Sequence, residues 1–278
     1  MHKRSDSFFK GHDNTQLYIQ KWEVPNPKAL LLITHGQGEH SECYHRLVSA
    51  FPDYSFIAWD IRGHGRSEGL RGYAKDFDDY ILDFHIFLNH CFNLHKDSQI
   101  PLMLVAHSMG ALIQTCALKE KQYPLIKAQI LSSPLFGVSI AVPEWKDAAS
   151  NLVNRFLPKI TLSNEIRNEQ LTRDHDVIKE YEKDTYRHNK ISASVYLGFK
   201  REFQKVNSYA AEINIPTLLH ISDNDPIVSS SAALTFFEQL KSDRKELKIF
   251  ENGRHELYND SCRNDVFKVV HAFCERFI

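Results

Sequence analysis

The sequence predicts an α/β fold with a mostly parallel, doubly wound sheet, and two patterns support this. Short runs rich in β-branched and aromatic residues alternate with segments of helical periodicity, which is typical of β-α-β units. From residue 29 onward the strand-like runs are mostly continuously apolar, as expected when helices cover both faces of a parallel sheet. At 278 residues the chain is long enough for one such domain with an insertion.

Each predicted element has its own pattern. Residues 16–23 are separated from the next strand by too short a segment for a helix, so they predict an antiparallel edge strand. A long helix is predicted where Phe77, Tyr80 and Phe84 share one apolar face. The predicted strands are residues 16–23, 29–34, 56–60, 102–106, 128–132, 217–222 and 246–250. The predicted core helices are residues 77–93, 111–120, 233–240 and 264–277.

The alternation breaks between residues 137 and 214, where no convincing strand pattern occurs. A structureless loop of this length is rare in a compact domain, so the segment is expected to form helices of its own. We therefore predict a core of residues 1–137 and 213–278, with a helical cap at residues 138–212. Three amphipathic patterns support the cap: Val142, Trp145, Ala149, Leu152 and Phe156; Val177, Ile178, Tyr181 and Thr185; and Val195, Phe199, Phe203 and Val206.

Charge and cysteine content exclude several classes of partner. With 34 basic and 35 acidic residues, the net charge of -1 gives no long-range attraction to nucleic acid. The five cysteines are scattered without a CxxC pair, which favours a reducing compartment over a disulfide framework. Residues 1–16 are polar and lack the apolar stretch of a secretory signal. We expect a cytoplasmic protein, for which peripheral membrane contact through an apolar cap surface stays open. The oligomeric state is not predicted.

Ser108 is the strongest candidate for a nucleophile. It stands in the pentad Ala106-His107-Ser108-Met109-Gly110, between an apolar run and a helical pattern. A nucleophile elbow needs such a sharp turn from strand to helix, with very small residues two positions before and after the serine. Gly110 meets this need, whereas Ala106 adds a methyl group where elbows usually have glycine. The alternative is a serine that only forms part of a turn between buried elements.

A serine hydroxyl needs a base in hydrogen-bond reach, and the base needs a carboxylate to orient it. His255 follows the last predicted strand in a loop that begins with a glycine, which makes it the candidate base among 15 histidines. The acid is expected after the preceding strand, where Asp223 and Asp225 compete. Asp225 is favoured by its place beside Pro226, while Asp223 can cap the turn with its own side chain. No metal is predicted, because the pair lacks the glycine and downstream glutamate of a calcium loop.

Two backbone N–H groups are candidates for an oxyanion hole. One belongs to Met109, directly after the candidate nucleophile, and the other to Gln37, which lies between two glycines in the loop after an early strand. A generic glycine turn is the alternative for this second loop. Residues 60–67 also follow a strand and contain arginines and a histidine. Because no phosphate-binding helix pattern follows them, a structural loop is favoured over an anion site.

These motifs together resemble a known enzyme family over nearly the whole chain. The residues that carry the likeness are 35–41, 60–67, 106–110, 223–228 and 254–257. They resemble the monoacylglycerol lipase and lysophospholipase branch of the α/β-hydrolases, similar to serine aminopeptidase S33. The resemblance implies an α/β-hydrolase fold with a helical cap inserted after the sixth strand. The cap segment 171–184 looks like the family's lid over an acyl-chain tunnel.

The resemblance also implies roles for the candidate residues. Ser108, Asp225 and His255 would form the catalytic triad, and the amides of Gln37 and Met109 would form the oxyanion hole. Two positions depart from the family's pattern: Ala106 replaces the elbow glycine, and Thr185 stands where many relatives have proline. The second departure affects the shape of the lid.

The sequence therefore predicts a serine hydrolase that cleaves carboxylic esters of fatty acyl chains through an acyl-enzyme, with no cofactor. The apolar cap is expected to bury the acyl chain of a small lipid ester. A broad short-chain carboxylesterase, a thioesterase and a hydrolase of carbon–carbon bonds share the scaffold and are alternatives. A non-catalytic ligand-binding protein of the same fold is disfavoured, because no triad member is missing. His35, Gly36, His107 and Trp145 are further candidate substrate contacts.

Overall fold

A computed structural model describes residues 1–140 and 144–278. Its strands are β1 (Lys3–Lys10), β2 (Gln16–Glu23), β3 (Leu30–Thr34), β4 (Ser55–Trp59), β5 (Leu102–His107), β6 (Ile126–Ser132), β7 (Thr161–Ser163), β8 (Lys190–Ser192), β9 (Thr217–Ser222) and β10 (Lys245–Phe250). Its α-helices are α1 (His45–Ala50), α2 (Asp78–Leu94), α3 (Met109–Glu120), α4 (Glu144–Phe156), α5 (Asn168–Leu171), α6 (His175–Lys183), α7 (Ala193–Phe203), α8 (Val206–Ala210), α9 (Ser230–Gln239) and α10 (Arg263–Cys274).

The described residues form an eight-stranded sheet in the order β1-β2-β4-β3-β5-β6-β9-β10. Neighbouring strands from β4 to β10 run parallel, whereas β2 is antiparallel to both β1 and β4. Parallel strands end at the same edge of a sheet, so the loops that follow β3, β5, β9 and β10 meet there. The α/β fold class expected from the sequence is confirmed, and the cap follows the sixth strand in chain order.

Helices pack on both faces of this sheet. Side chains that alternate along β3 enter different core clusters: Leu30 and Leu32 join the cluster that contains residues of α2, α3 and α9, while Leu31 and Ile33 join the one that contains residues of α1 and α10. Since β3 is fully buried on both faces, all five of its residues are apolar or, in the case of Thr34, hydrogen-bonded through the side chain. Continuous apolar runs in the sequence thus correspond to the central strands.

Two strand predictions were incomplete. Residues 16–23 are antiparallel as expected, but β1 and not β2 forms the edge. Only Phe9 of β1 is buried, so this edge strand has no apolar alternation that a sequence pattern would detect. The segment between residues 137 and 214 also contains the short antiparallel pair β7 and β8, where no strand was expected. These strands have three residues each, which is too short for a periodic pattern.

The cap consists mainly of α4 to α7. The second and third amphipathic patterns place buried apolar side chains on α6 and α7, whereas Trp145, Leu152 and Phe156 of the first pattern are exposed. Val177 and Tyr181 are buried on α6, and Val195 and Phe199 are buried on α7. Val142 of the first pattern lies outside the described residues. The domain boundaries at residues 138 and 212 stay a prediction. No helix in the described part of the chain combines the length and the apolar character needed to cross a bilayer.

Candidate active site

Ser108 lies in a strained turn between β5 and α3. Its φ of 51° and ψ of -117° are unusual for a residue with a side chain, and such strain clusters at functional sites. A Cβ on Gly110 would lie 2.4 Å from the carbonyl oxygens of both Thr34 and His35, so only glycine fits there. Ala106 is fully buried within β5, and its methyl group belongs to the core beside Leu104. The missing elbow glycine is therefore accommodated in this structure.

The structure brings the side chains of Ser108, His255 and Asp225 into one hydrogen-bonded series. His255 Nδ1 lies 2.8 Å from Asp225 Oδ2, and His255 Nε2 lies 3.0 Å from Ser108 Oγ. An ionised carboxylate only accepts, so Nδ1 carries the proton and Nε2 is free to accept the serine hydroxyl proton. This tautomer is the one that a general base requires.

The two aspartates that competed in the sequence have different environments. Asp225 is buried, and its Oδ1 accepts backbone N–H groups from Ile227 and Val228 at 2.8 and 3.0 Å. Asp223 is exposed, and its Oδ1 accepts the N–H of Asn252 at 2.8 Å. Asp225 thus faces the histidine, while Asp223 joins the loops after β9 and β10.

Charges around His255 favour its protonated form. Burial is the largest single influence and lowers the pKa of His255, but the carboxylates of Asp225, Glu256 and Glu39 together outweigh it, so the pKa lies above its ordinary value. Burial raises the pKa of Asp225, but His255 and two backbone N–H groups outweigh it and lower the pKa. These charges would therefore stabilise an imidazolium formed by transfer of the serine proton to His255.

The loop after β3 lies directly against the elbow. A Cβ on Gly36 would lie 3.0 Å from Ser108 Cβ, so a side chain at this position would make an unusually tight contact with the candidate nucleophile. The Gly36 N–H donates to Glu39 Oε1 at 2.5 Å, which holds the loop in a tight turn around Gln37. Met109 begins α3, and N–H groups in the first turn of a helix have no partner within the helix. The two amides expected to bind an oxyanion thus belong to adjoining segments.

Of the four predicted substrate contacts, Gly36, His107 and Trp145 line the main cavity, but His35 does not. His35 is fully buried below the loop. Its Nε2 accepts the N–H of Ile61 at 2.9 Å, and its Nδ1 donates to the carbonyl of Gly36 at 2.7 Å. His35 therefore supports the loop of residues 36–39 after β3, which is called the oxyanion loop below. Its assignment as a substrate contact was wrong.

A cavity of about 790 Å³ opens onto Ser108 and His255 and extends under the cap. Its size falls in the range of small-molecule sites, roughly 300–1,000 Å³. Much of the apolar wall comes from the cap: Val153, Ile160, Leu162, Ile166 and Phe199. Polar side chains lie beside the reactive groups, from the oxyanion loop and from residues 184–189. The arrangement suits a ligand with an apolar chain and a polar head.

Sequence reasoning missed a buried charged cluster beside the candidate triad. Glu39, Glu256 and Arg187 all line the cavity, and Arg187 binds Glu256. Burial raises the pKa of Glu256, but Arg187, His107 and the Tyr181 hydroxyl together outweigh it and lower the pKa to about 2. Burial, followed by the charge of Glu256, raises the pKa of Glu39 to about 7. The available signal was position: Glu39 follows the oxyanion loop and Glu256 follows His255 directly.

Among the described residues, one cluster has side chains of the types that bind metals, but these side chains already bind protein groups. His40, Cys43 and Asp184 offer ligand atoms within 4.8 Å of one another. However, His40 Nε2 and Asp184 Oδ2 bind each other at 2.8 Å, and an Arg187 nitrogen lies 3.2 Å from Cys43 Sγ, where it would repel a cation. The absence of a metal stays a prediction.

Arg62, from the loop considered as an anion site, binds two carboxylates. Its Nε donates to Asp83 Oδ2 at 2.6 Å, and its Nη1 donates to Asp13 Oδ2 at 2.9 Å. In the same loop, Asp60 Oδ1 accepts the N–H of Ser41 at 2.7 Å. These contacts fit the structural loop favoured from the sequence.

Comparisons with known proteins agree with this architecture. Phospholipase YtpA of Bacillus subtilis is 28% identical over 264 residues, covering 92% of this chain and 99% of that protein. A monoglyceride lipase homolog of Monkeypox virus is 31% identical over 268 residues, covering 94% of this chain and 95% of that protein. A soluble variant of monoglyceride lipase from Saccharomyces cerevisiae, solved with a substrate analog, has the same fold. Its TM-score is 0.86 at 20% identity, with 98% of this chain and 94% of that chain covered.

A family model described as serine aminopeptidase, S33, matches residues 25–262, which include β3, the elbow and the loops of Asp225 and His255. This match, together with the viral relative, confirms the resemblance that the motifs indicated. The chain belongs to the serine aminopeptidase S33 family of α/β-hydrolases.

Proposed function

We propose that this protein is a serine hydrolase that cleaves carboxylic esters of fatty acyl chains, of the monoacylglycerol lipase or lysophospholipase type. The observation that carries the proposal is the hydrogen-bonded series Ser108, His255 and Asp225 at the wall of a largely apolar cavity. Relatives named phospholipase and monoglyceride lipase add support.

The proposed reaction has two acyl-transfer steps. Ser108 Oγ attacks the ester carbonyl carbon while its proton passes to His255 Nε2, and the amides of Gln37 and Met109 bind the oxyanion. Collapse of the tetrahedral intermediate breaks the ester bond, and the imidazolium gives its proton to the leaving alkoxide. Water then repeats the sequence and releases the fatty acid. Ser108→Ala is expected to lower kcat on the order of a million-fold.

The acyl chain is proposed to occupy the cap side of the cavity. Burial of each methylene contributes about 0.8 kcal/mol, so kcat/KM should rise roughly fourfold per methylene until the cavity is full. The test is a series of nitrophenyl esters with acyl chains from about two to about twelve carbons. A flat or falling series would instead favour a short-chain carboxylesterase. Val153→Phe, which adds a ring to the cavity wall, should move the maximum to shorter esters.

The preferred head group of the substrate can be determined with a panel of substrates that share one acyl chain. Monoacylglycerol, lysophospholipid and acyl thioester with the same acyl chain present the same apolar portion to the cavity. Differences in kcat/KM therefore report the leaving group alone. Preference for either oxygen ester over the thioester supports the proposal, while preference for the thioester would favour the thioesterase alternative.

We also propose that the protein is cytoplasmic and contacts lipid peripherally through its cap. Leu152 and Phe156 on α4 are 63% and 65% exposed, and Trp145 is 69% exposed. Trp145 and Leu162 also line the cavity, so the exposed apolar surface is continuous with the acyl site. Such a surface suits a lipid interface because its apolar side chains can insert at the boundary between headgroups and acyl chains without electrostatic anchoring.

Vesicle binding tests this contact. The double variant Leu152→Ser with Phe156→Ser should lose sedimentation with phosphatidylcholine vesicles, and added salt should have little effect on the wild type. Leu82→Ser is the matched control, since Leu82 is an exposed apolar residue on α2, outside the cap. Equal sedimentation of the double variant and the wild type would contradict the contact.

A further inference from the structure

Glu256 is held from several directions although it lies in the loop of the candidate base. Its side chain is buried, with Oε1 bound by Arg187 and Oε2 bound by the hydroxyl of Tyr181. Asn259 Nδ2 also donates to Oε2 at 3.1 Å. Since Glu256 adjoins His255 in sequence, fixing its carboxylate restricts the backbone that carries the imidazole. Two of these three partners come from the cap.

Arg187 connects this carboxylate to the rest of the site. Its guanidinium carbon lies 3.7 Å from the centroid of the Tyr181 ring, and its Nη1 lies 3.2 Å from Cys43 Sγ. The chain directly after it is bound to the oxyanion loop: the N–H of His188 donates to the carbonyl of Gly38 at 2.9 Å. Arg187 is therefore anchored between the two loops that carry the reactive groups.

Two further bonds attach the cap segment to these loops. Gln37 Nε2 donates to the carbonyl of Lys190 at 2.7 Å, on the oxyanion side. The N–H of Glu256 donates to the carbonyl of Leu171 at 2.9 Å, on the histidine side. Residues 171–190 of the cap thus contact both halves of the site through directional hydrogen bonds.

We propose that Arg187 and Glu256 form a positioning pair through which the cap holds His255 in its reacting orientation toward Ser108. This rests on the proposed function, since it assigns the pair to the reaction of that triad. Neither residue is required to touch the reacting atoms. The cap would then be part of the catalytic framework as well as a cover for the acyl chain.

The pair also sets the charge around the imidazole. Glu256 faces Arg187 and Tyr181 from the cap, His107 from β5 and Glu39 from the oxyanion loop. Glu256→Gln removes a negative charge and leaves the Arg187 cation buried without its carboxylate. Both changes disfavour the imidazolium, so the pKa of His255 should fall. A purely structural contact would not predict this direction.

The experiment compares three variants of the 278-residue chain. Glu256→Gln should lower kcat roughly 10- to 100-fold with little change in KM, because misplacement of about 1 Å can cost that much. Arg187→Lys keeps the charge but loses the planar contacts, so it should retain more activity than Glu256→Gln and a His255 pKa near that of the wild type. Glu180→Gln is the matched control, since it breaks a different cap-to-core ion pair, with Arg46 at 2.5 Å.

The primary readout is the titration of the His255 imidazole by NMR, assigned by its loss in His255→Gln. A lowered His255 pKa and a lowered kcat in Glu256→Gln, with neither change in Glu180→Gln, support the proposal. An unchanged pKa and kcat in Glu256→Gln overturn it. If Glu256→Gln does not fold, Arg187→Met combined with Glu256→Gln replaces it. This double variant leaves no unpaired charge, and wild-type kcat in it overturns the proposal.

Failure of the proposed function gives a different result. Wild-type protein is treated in parallel with a fluorophosphonate and assayed on long-chain esters. If the wild type neither reacts nor cleaves esters, the proposed hydrolase function fails. The NMR titration still reports whether Glu256 and Arg187 govern His255, because it does not depend on turnover.

Discussion

Ser108 Oγ and His255 Nε2 lie 3.0 Å apart although their residues are separated by 147 positions in the chain. The sheet order explains this proximity, because β5, β6, β9 and β10 are consecutive neighbours and end at the same edge. Asp225 follows β9, between the strands that precede the other two residues in the sheet. The reactive geometry is therefore fixed by strand order and by three short loops.

Asp225 and Asp223 should respond differently to the same substitution. Asp225→Asn cannot hold the required histidine tautomer, so kcat should fall by about 10⁴-fold. Asp223→Asn keeps an oxygen that can accept the Asn252 N–H, so its kcat should stay near that of the wild type. Steady-state kinetics on one ester would check this, and comparable losses in both variants would contradict the assignment of Asp225.

The pH dependence of kcat/KM should report His255. The imidazole must be neutral to accept the serine proton, so activity rises as pH increases through its pKa. Because the net effect of the surrounding charges raises this pKa, the midpoint of the acid limb should lie above the ordinary histidine value of about 6.5. A midpoint clearly below that value would contradict the electrostatic account.

The two small residues of the elbow should have distinct effects. Gly110→Ala places a methyl group against two backbone carbonyls, so it should destabilise the fold by about 1–3 kcal/mol and slow fluorophosphonate labelling. Ala106→Gly removes a buried methyl group and adds backbone freedom in the unfolded chain. It should lower the free energy of unfolding by about 1–2 kcal/mol and leave the labelling rate unchanged. Chemical denaturation and labelling rates measure both effects. Faster labelling in Ala106→Gly would mean that the alanine impairs the elbow.

Glu39 should make the stability of the fold fall as pH rises. Its pKa is about 7 in the folded state against an ordinary 4.5, so between these values the folded state binds the additional proton and deprotonation favours unfolding. Glu39→Gln keeps an acceptor for the Gly36 N–H and removes this titration. Relative to wild type, the free energy of unfolding of the variant should be higher by on the order of 1–3 kcal/mol above about pH 7 and unchanged below about pH 4.5. Denaturation across this range tests it, and a constant difference would contradict the assignment.

The sequence was sufficient for the central fold because buried parallel strands leave continuous apolar runs, and all seven expected strands are present. It was not sufficient for β1, whose side chains are mostly exposed, or for the three-residue strands β7 and β8. A long run of buried residues leaves a detectable hydrophobic pattern in the sequence. A short or solvent-exposed strand leaves none, because its pairing is determined by residues distant in the chain.

The candidate site shows the same division. Ser108, Asp225 and His255 were selected because each follows a predicted strand, and the topology brings such loops together. The pair of Arg187 and Glu256 was not found, because it joins a cap segment to a core loop and no spacing links them. His35 was misassigned for a related reason. A histidine beside a glycine loop has the same sequence pattern whether it faces the cavity or the core.

Mass-spectrometric mapping of a fluorophosphonate adduct on the wild-type protein tests directly whether Ser108 is an activated nucleophile. An activated serine reacts with this probe, whereas a serine without a base does not. We expect one adduct, on the peptide that contains Ser108, and none in Ser108→Ala. An unreactive wild type, or an adduct on a different residue that persists in Ser108→Ala, would contradict it.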